Sequence, residues 1–74
     1  MNKEELIDLF YANISDGDWE RYDFVDPPYC WAVMAAINVD GYEFSADGIL
    51  TVPDDYEVQS LDVTTPDGEN INLI

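Results

Sequence analysis

The sequence contains no histidine, one cysteine and only two basic side chains, Lys3 and Arg21. Without histidine, and with Cys30 as the sole thiol, the chain cannot form a Cys/His zinc site or an internal disulfide. Its longest apolar run, residues 29–37, is less than half the length that a membrane-spanning helix needs. These absences make a soluble protein of a reducing compartment such as the cytoplasm the expected class.

Acidic side chains are abundant by contrast: seventeen carboxylates give the 74-residue chain a formal net charge of -15. Apolar residues make up 47% of the chain, so it can fold where an acidic tail would stay disordered. The length predicts a single domain, residues 1–74, with a small core. Solubility needs a net charge of only about 2 to 8, so the excess predicts a cationic macromolecular partner. The same charge predicts no direct binding to nucleic acid or to membranes.

The N-terminal segment carries a helix signature. Asn2 and Glu5 fit a capping box, and the apolar residues that follow recur at helical spacing, which predicts a helix over about residues 3–14. Residues 15–18 are expected to end this helix. The polar and aromatic segment from there to the prolines at 27–28 is interpreted as a loop, because that pair is incompatible with a helix interior or a central strand.

The remainder alternates between apolar runs and turn signals. Residues 30–39 fit a buried helix or a central strand, and we favour the strand. Asp-Gly at 40–41 predicts a tight hairpin, and Asp-Gly at 47–48 predicts a second turn. Later the apolar alternation slips near Ser60, as a β-bulge would cause, and residues 66–68 predict a turn before a last strand. The expected fold is α+β, one N-terminal helix packed on an antiparallel sheet of four or five strands.

No constellation of residues indicates catalysis, so the chain is predicted not to be an enzyme and to need no cofactor. Cys30 lies in an apolar run without a basic neighbour, which is typical of an inert buried thiol. Residues 16–20 have the alternating carboxylates of a calcium loop, but Arg21 and Pro27 occupy the positions where an EF-hand needs glycine and glutamate. A helix stop and a solvated turn is therefore the favoured interpretation, with no metal ligands predicted.

The acids of the loop, the turns and the strands are the candidate partner-binding residues. Side chains two apart on a strand lie on one face about 6.6 Å from each other, so acids that alternate with apolar residues form ordered rows. Glu43, Glu57 and Asp62 are expected at outward strand positions, and Trp19 or Tyr22 could add an exposed aromatic anchor. The predicted contact residues are Asp16, Asp18, Glu20, Asp23, Asp26, Asp40, Glu43, Asp47, Asp54, Asp55, Glu57 and Asp62.

In size, acidity and lack of catalytic residues the chain resembles the small acidic nucleic-acid mimics of phages and mobile elements, the anti-CRISPR and anti-restriction inhibitors. That resemblance implies an inhibitor that blocks the basic DNA- or RNA-binding surface of a host defence complex. One alternative is an immunity protein or antitoxin against a basic nuclease, where opposite charge would speed association. The others are a halophilic domain, in which acidity maintains solubility in concentrated salt, and a small calcium-binding domain.

Overall fold

The computed structural model describes residues 1–26, 30–51 and 55–74, with residues 24–26 by their backbone alone. Its five strands form one antiparallel sheet in the order β1, β2, β3, β4, β5. This arrangement confirms the predicted α+β class. In chain order the elements are α1 (Lys3–Asn13), a 3-10 turn (Asp16–Asp18), β1 (Trp19–Asp26), β2 (Cys30–Val39), β3 (Tyr42–Thr51), β4 (Asp55–Thr64) and β5 (Asn70–Asn72).

Helix α1 begins at the predicted capping box. The Asn2 side chain accepts a hydrogen bond from the Glu5 backbone N–H at 2.8 Å, and the Asn2 backbone N–H donates to Glu5 Oε1 at 3.0 Å. The helix ends at Asn13, one residue before the predicted end, because Ile14 adopts an extended conformation. Within the described residues no helix is long and apolar enough to cross a membrane.

One face of the sheet, which we call the packed face, lies against α1. Leu6 and Phe10 of the helix are fully buried there. The Phe10 ring contacts Trp19 edge-on at 6.4 Å between centroids and Phe44 at 5.6 Å. Burying these side chains stabilises the contact between helix and sheet. The other residues of this core are Phe44, Ala46, Leu61 and Val63 of the sheet and Leu73, which follows β5.

Helix α1 covers only part of the packed face. Eleven helical residues span about 16 Å, whereas ten strand residues span about 33 Å. Beyond the helix, aromatic side chains close the face: Trp19 stacks on Tyr56 at 5.4 Å, and the Arg21 guanidinium lies 5.7 Å from the centre of the Trp31 ring. The fully buried side chains in this half are Val33 and Leu50.

The predicted hairpin between β2 and β3 is confirmed. Asp40 and Gly41 have φ of 51° and 86°, the left-handed pair that a two-residue type I′ turn requires. A Cβ on Gly41 would lie 3.2 Å from Cγ of Pro66, so the turn between β4 and β5 packs against this hairpin. The predicted turn at residues 66–68 and the last strand, β5, are also present.

The second predicted turn, Asp47-Gly48, is wrong, because both residues lie inside β3. Asp47 pairs with Ser60 and Gly48 with Val58, which leaves Gln59 as the extra residue of a bulge in β4. The predicted bulge near Ser60 is thereby confirmed. A Cβ on Gly48 would collide with the backbone carbonyl opposite, so the glycine permits close approach of two strands, not a reversal of the chain.

The predicted loop before the prolines is also wrong from Trp19 onward, because Trp19–Asp26 forms edge strand β1. Its register with β2 shifts twice, between Arg21 and Asp23 and between Phe24 and Asp26. Each shift interrupts the alternation of inward and outward residues, which is why the segment looks irregular in sequence. The proline pair at residues 27–28 lies outside the described residues.

Candidate functional site

The sheet face opposite α1, which we call the open face, is formed by the alternate residues of all five strands. Its side chains line up in cross-strand rows, for example Glu20, Met34, Asp47 and Ser60. No described element packs on this face. Its residues are Glu20, Asp23, Cys30, Ala32, Met34, Ala36, Asn38, Glu43, Ser45, Asp47, Ile49, Thr51, Asp55, Glu57, Ser60, Asp62, Thr64, Asn70 and Asn72.

All charged side chains of the open face are acidic. Neither base of the chain belongs to it: Lys3 is on α1, and Arg21 pairs with Val33 on the packed face. A one-signed array on a rigid sheet favours a cationic ligand across its whole area. The seven carboxylates are Glu20, Asp23, Glu43, Asp47, Asp55, Glu57 and Asp62.

The register keeps these carboxylates apart. In the described strands no acid lies directly opposite another acid. Met34, for instance, stands between Glu20 and Asp47, and Ser60 opposite Asp47 donates a hydrogen bond to it at 3.3 Å. Like charges directly opposite would destabilise the sheet, so this spacing lets the open face carry its charge at lower cost.

The acids lie on either side of an uncharged strip. Strand β1 carries acids along one side, strands β3 and β4 carry them along the other, and β2 between them carries none on this face. Since neighbouring strands are about 4.8 Å apart, the strip separates acids by about 10 Å from β1 to β3. Met34, 45% exposed, is the most prominent apolar side chain of the strip.

Two adjoining concavities follow this strip, and we call them together the groove. The first, about 210 Å³, is lined by Asp18, Glu20 and Met34, and the second, about 400 Å³, by Asn38 and Glu43. Both share the same floor, the paired residues Ala36 and Ser45. The groove therefore combines an acidic rim with a floor of small side chains.

The remaining predicted contact acids do not join the strand array. Asp16 and Asp18 lie in the 3-10 turn, where Asp18 Oδ2 accepts from Ser15 N at 2.9 Å and from Ser15 Oγ at 3.0 Å, as a turn-capping residue does. Asp40 lies in the hairpin turn. Among the residues that the structure describes, no three Asp, Glu or Cys side chains form a group that could hold a metal ion.

Several predicted acids have a different local setting from the one expected. Glu20 and Asp23 lie on a strand and not in a loop, and Asp47 and Asp55 belong to strands and not to turns. The outward positions predicted for three strand acids are confirmed, two of them exposed and Asp62 half-buried. Asp26 ends β1 with its side chain undescribed, and Asp54 lies outside the described residues.

The predicted aromatic anchors divide between surface and core. Tyr22 is 57% exposed beside the first shift in β1, so it is available for contact. Trp19 is not an exposed anchor, because it packs on Phe10 and stacks on Tyr56. Met34, an exposed apolar side chain at the centre of the acidic face, was not among the predicted contact residues.

The charge density of the whole molecule can be compared with that of nucleic acid. Its long axis is 42 Å, and dividing 42 Å by 15 net charges gives one charge per 2.8 Å. One strand of B-DNA carries one charge per about 3.4 Å of axis, and the duplex one per about 1.7 Å. The linear charge density of the folded chain thus lies between that of a single DNA strand and that of the duplex.

Comparisons with protein-family models, with curated proteins and with solved structures give no match to this chain.

Proposed function

We propose that the protein is an acidic nucleic-acid mimic that inhibits a partner by occupying its basic DNA- or RNA-binding surface. The single observation that carries this proposal is the open face, where seven carboxylates and no base are held on one side of a rigid sheet. A surface that normally holds phosphates offers lysine and arginine side chains, which pair with carboxylates by the same electrostatics.

The partner class follows from the ligand that is imitated. Resemblance in size and acidity to the inhibitors of phages and mobile elements supports a host defence complex, CRISPR or restriction, as the target in the cytoplasm of the host. Binding by competition needs no chemistry from the inhibitor. It needs charge presented without a large loss of side-chain freedom, which short aspartate side chains on strands provide.

The test is affinity capture with the full chain immobilised, at about 0.15 M salt, from the native host. The expected result is retention of a nucleic-acid-binding protein that DNA or RNA oligonucleotides then release in a concentration-dependent manner. Retention should also weaken as salt rises, because exposed charges are screened beyond a Debye length of about 8 Å at that ionic strength. If oligonucleotides release none of the captured proteins, the proposed function is wrong.

A matched pair of variants separates the open face from net charge. Each variant removes four negative charges, so the two have the same formal charge. Four charges are removed together because a distributed contact tolerates the loss of a single one. The open-face variant should lose retention of the partner, and the control should keep it, because its substitutions lie outside the open face. The open-face variant is Glu43→Gln, Asp47→Asn, Glu57→Gln and Asp62→Asn; the control is Glu4→Gln, Asp8→Asn, Asp67→Asn and Glu69→Gln.

The captured protein also decides among the related functions. A nuclease that is inhibited by the chain would assign an immunity or antitoxin role to the same face. Unfolding at low ionic strength, with folding only in concentrated salt, would instead indicate a halophilic domain. Circular dichroism of the purified chain in buffers of low and high salt measures this directly.

A further inference from the structure

The floor of the groove is formed by residues with small side chains. Ala36 and Ser45 pair across β2 and β3 at its centre, with the exposed Met34 next along β2 on the same face. Small residues let the backbone of a ligand approach closely, and methionine adapts its shape to an apolar partner. The groove can therefore accept a bulky secondary-structure element as well as single side chains.

The width of the groove matches one such element. Carboxylates stand on both rims, Asp18 and Glu20 on one side and Glu43 on the other. Glu20 of β1 and Asp47 of β3 both pair with Met34 of β2, so these two acids lie about 10 Å apart across the strip, and Glu43 continues the β3 rim further along it. An α-helix with its side chains is about 10–12 Å in diameter. A helix laid along β2 would have a carboxylate rim beside each flank.

The charge pattern specifies what that helix carries. Acidic rims with an uncharged floor fit cations on two flanks and a small apolar ridge between them, which is the pattern of a basic amphipathic helix. The major groove of B-DNA presents a similar pattern, about 12 Å wide between two phosphate backbones, and it admits an α-helix.

We propose that the groove binds a basic α-helix of the partner, and that the partner is a protein that inserts this helix into the major groove of duplex DNA. This inference rests on the proposed function, because it names the partner class for the same face. The helix-binding inference requires a ligand of a particular shape as well as positive charge, so it can fail while the proposed function stands.

The probe is a synthetic alanine-rich helix of about 20 residues, about 30 Å long, with arginines on both flanks of an Ala/Leu ridge. Its matched control has the same composition and helicity, with the arginines spread around the whole circumference. Fluorescence anisotropy at about 0.15 M salt measures the affinity of each peptide for the full chain. The patterned peptide is expected to bind at least about tenfold more tightly than its control.

Filling the floor should remove that preference without changing any charge. Ala36→Phe places a ring in the middle of the groove, and Ala12→Phe, at an exposed position of α1, is the control. The first should weaken patterned-peptide binding about tenfold, and the second should leave it within about twofold. Ser45→Leu serves the same purpose if the Ala36 variant does not fold.

Equal affinity of the two peptides, or unchanged affinity after Ala36→Phe or Ser45→Leu, would overturn the helix-binding inference. The proposed function would still stand in that case, because capture of a nucleic-acid-binding protein and its release by oligonucleotides test it separately. If oligonucleotides do not release the captured protein, both the proposed function and the helix-binding inference are wrong. Release by single-stranded oligonucleotides alone, with no effect of duplex DNA, would overturn the inference and keep the proposed function.

Discussion

The two faces of the sheet are built from alternate residues of the same strands, yet they have opposite properties. The packed face buries Phe44, Leu61 and Val63 under α1, whereas the open face presents seven carboxylates. Because side chains alternate with a period of two, a strand can meet both requirements at once. Folding therefore depends on the packed face, and the open face can carry charge that the fold tolerates at a small cost in stability.

The largest loss of stability is expected when the contact between α1 and the packed face is removed. Phe10→Ala leaves a cavity at the centre of the packed face, where Phe10 is fully buried. The expected loss is about 3–5 kcal/mol of unfolding free energy, most of the stability of so small a domain. Urea denaturation measures it. Tyr11→Ala, at the exposed neighbouring position, should cost less than about 1 kcal/mol, and an equal loss for both would contradict the assigned core.

A smaller effect is expected at the point where β3 and β4 approach most closely. Gly48→Ala forces a methyl group into the backbone of the opposite strand, so it should cost about 1–3 kcal/mol. Gly17→Ala is the control, since a Cβ there meets no other atom within 4 Å. Thermal melting compares the two. A neutral effect of Gly48→Ala would show that the bulge relaxes more easily than its close contact indicates.

The smallest effect on stability is expected on the open face, and its sign is reversed. The fourfold open-face variant described above should raise the melting temperature by a few degrees at low salt, because it relieves repulsion within the array. The gain should fade in 1 M salt, where the Debye length is only about 3 Å. A clear loss of stability at low salt would mean that these acids hold the fold together, which would contradict the division between the faces.

Local sequence signals predicted the elements whose conformation is set within a few residues. The capping box of Asn2 and Glu5 locates the start of α1, and the pair Asp40-Gly41 locates a hairpin. Asp47-Gly48 shows the limit of this reasoning. The same kind of dipeptide here lies inside β3, opposite the bulge of β4, and forms no turn. Which of the two structures forms depends on the opposite strand, which the local sequence does not specify.

The candidate site was predictable residue by residue but not as a surface. Outward positions for Glu43 and Glu57 follow from simple alternation along their strands. The positions of Glu20 and Asp23 depend on how β1 is registered against β2, with two shifts within eight residues. Non-local pairing of this kind assembles the acids of β1, β3 and β4 into one face, and only the folded structure reveals it.

The irregular structure of edge strand β1 also affects self-association of the protein. An edge strand offers unpaired backbone groups to any neighbouring copy, and such edges lead to stacking of sheets into aggregates. Two register shifts and the acids Glu20 and Asp23 make this border irregular and negatively charged. At the opposite border β5 pairs only with residues 62–64 of β4, and the part of β4 before them carries Asp55 and Glu57. Backbone pairing between the edges of two copies is therefore expected to be unfavourable, which leaves the charged open face accessible to a different partner.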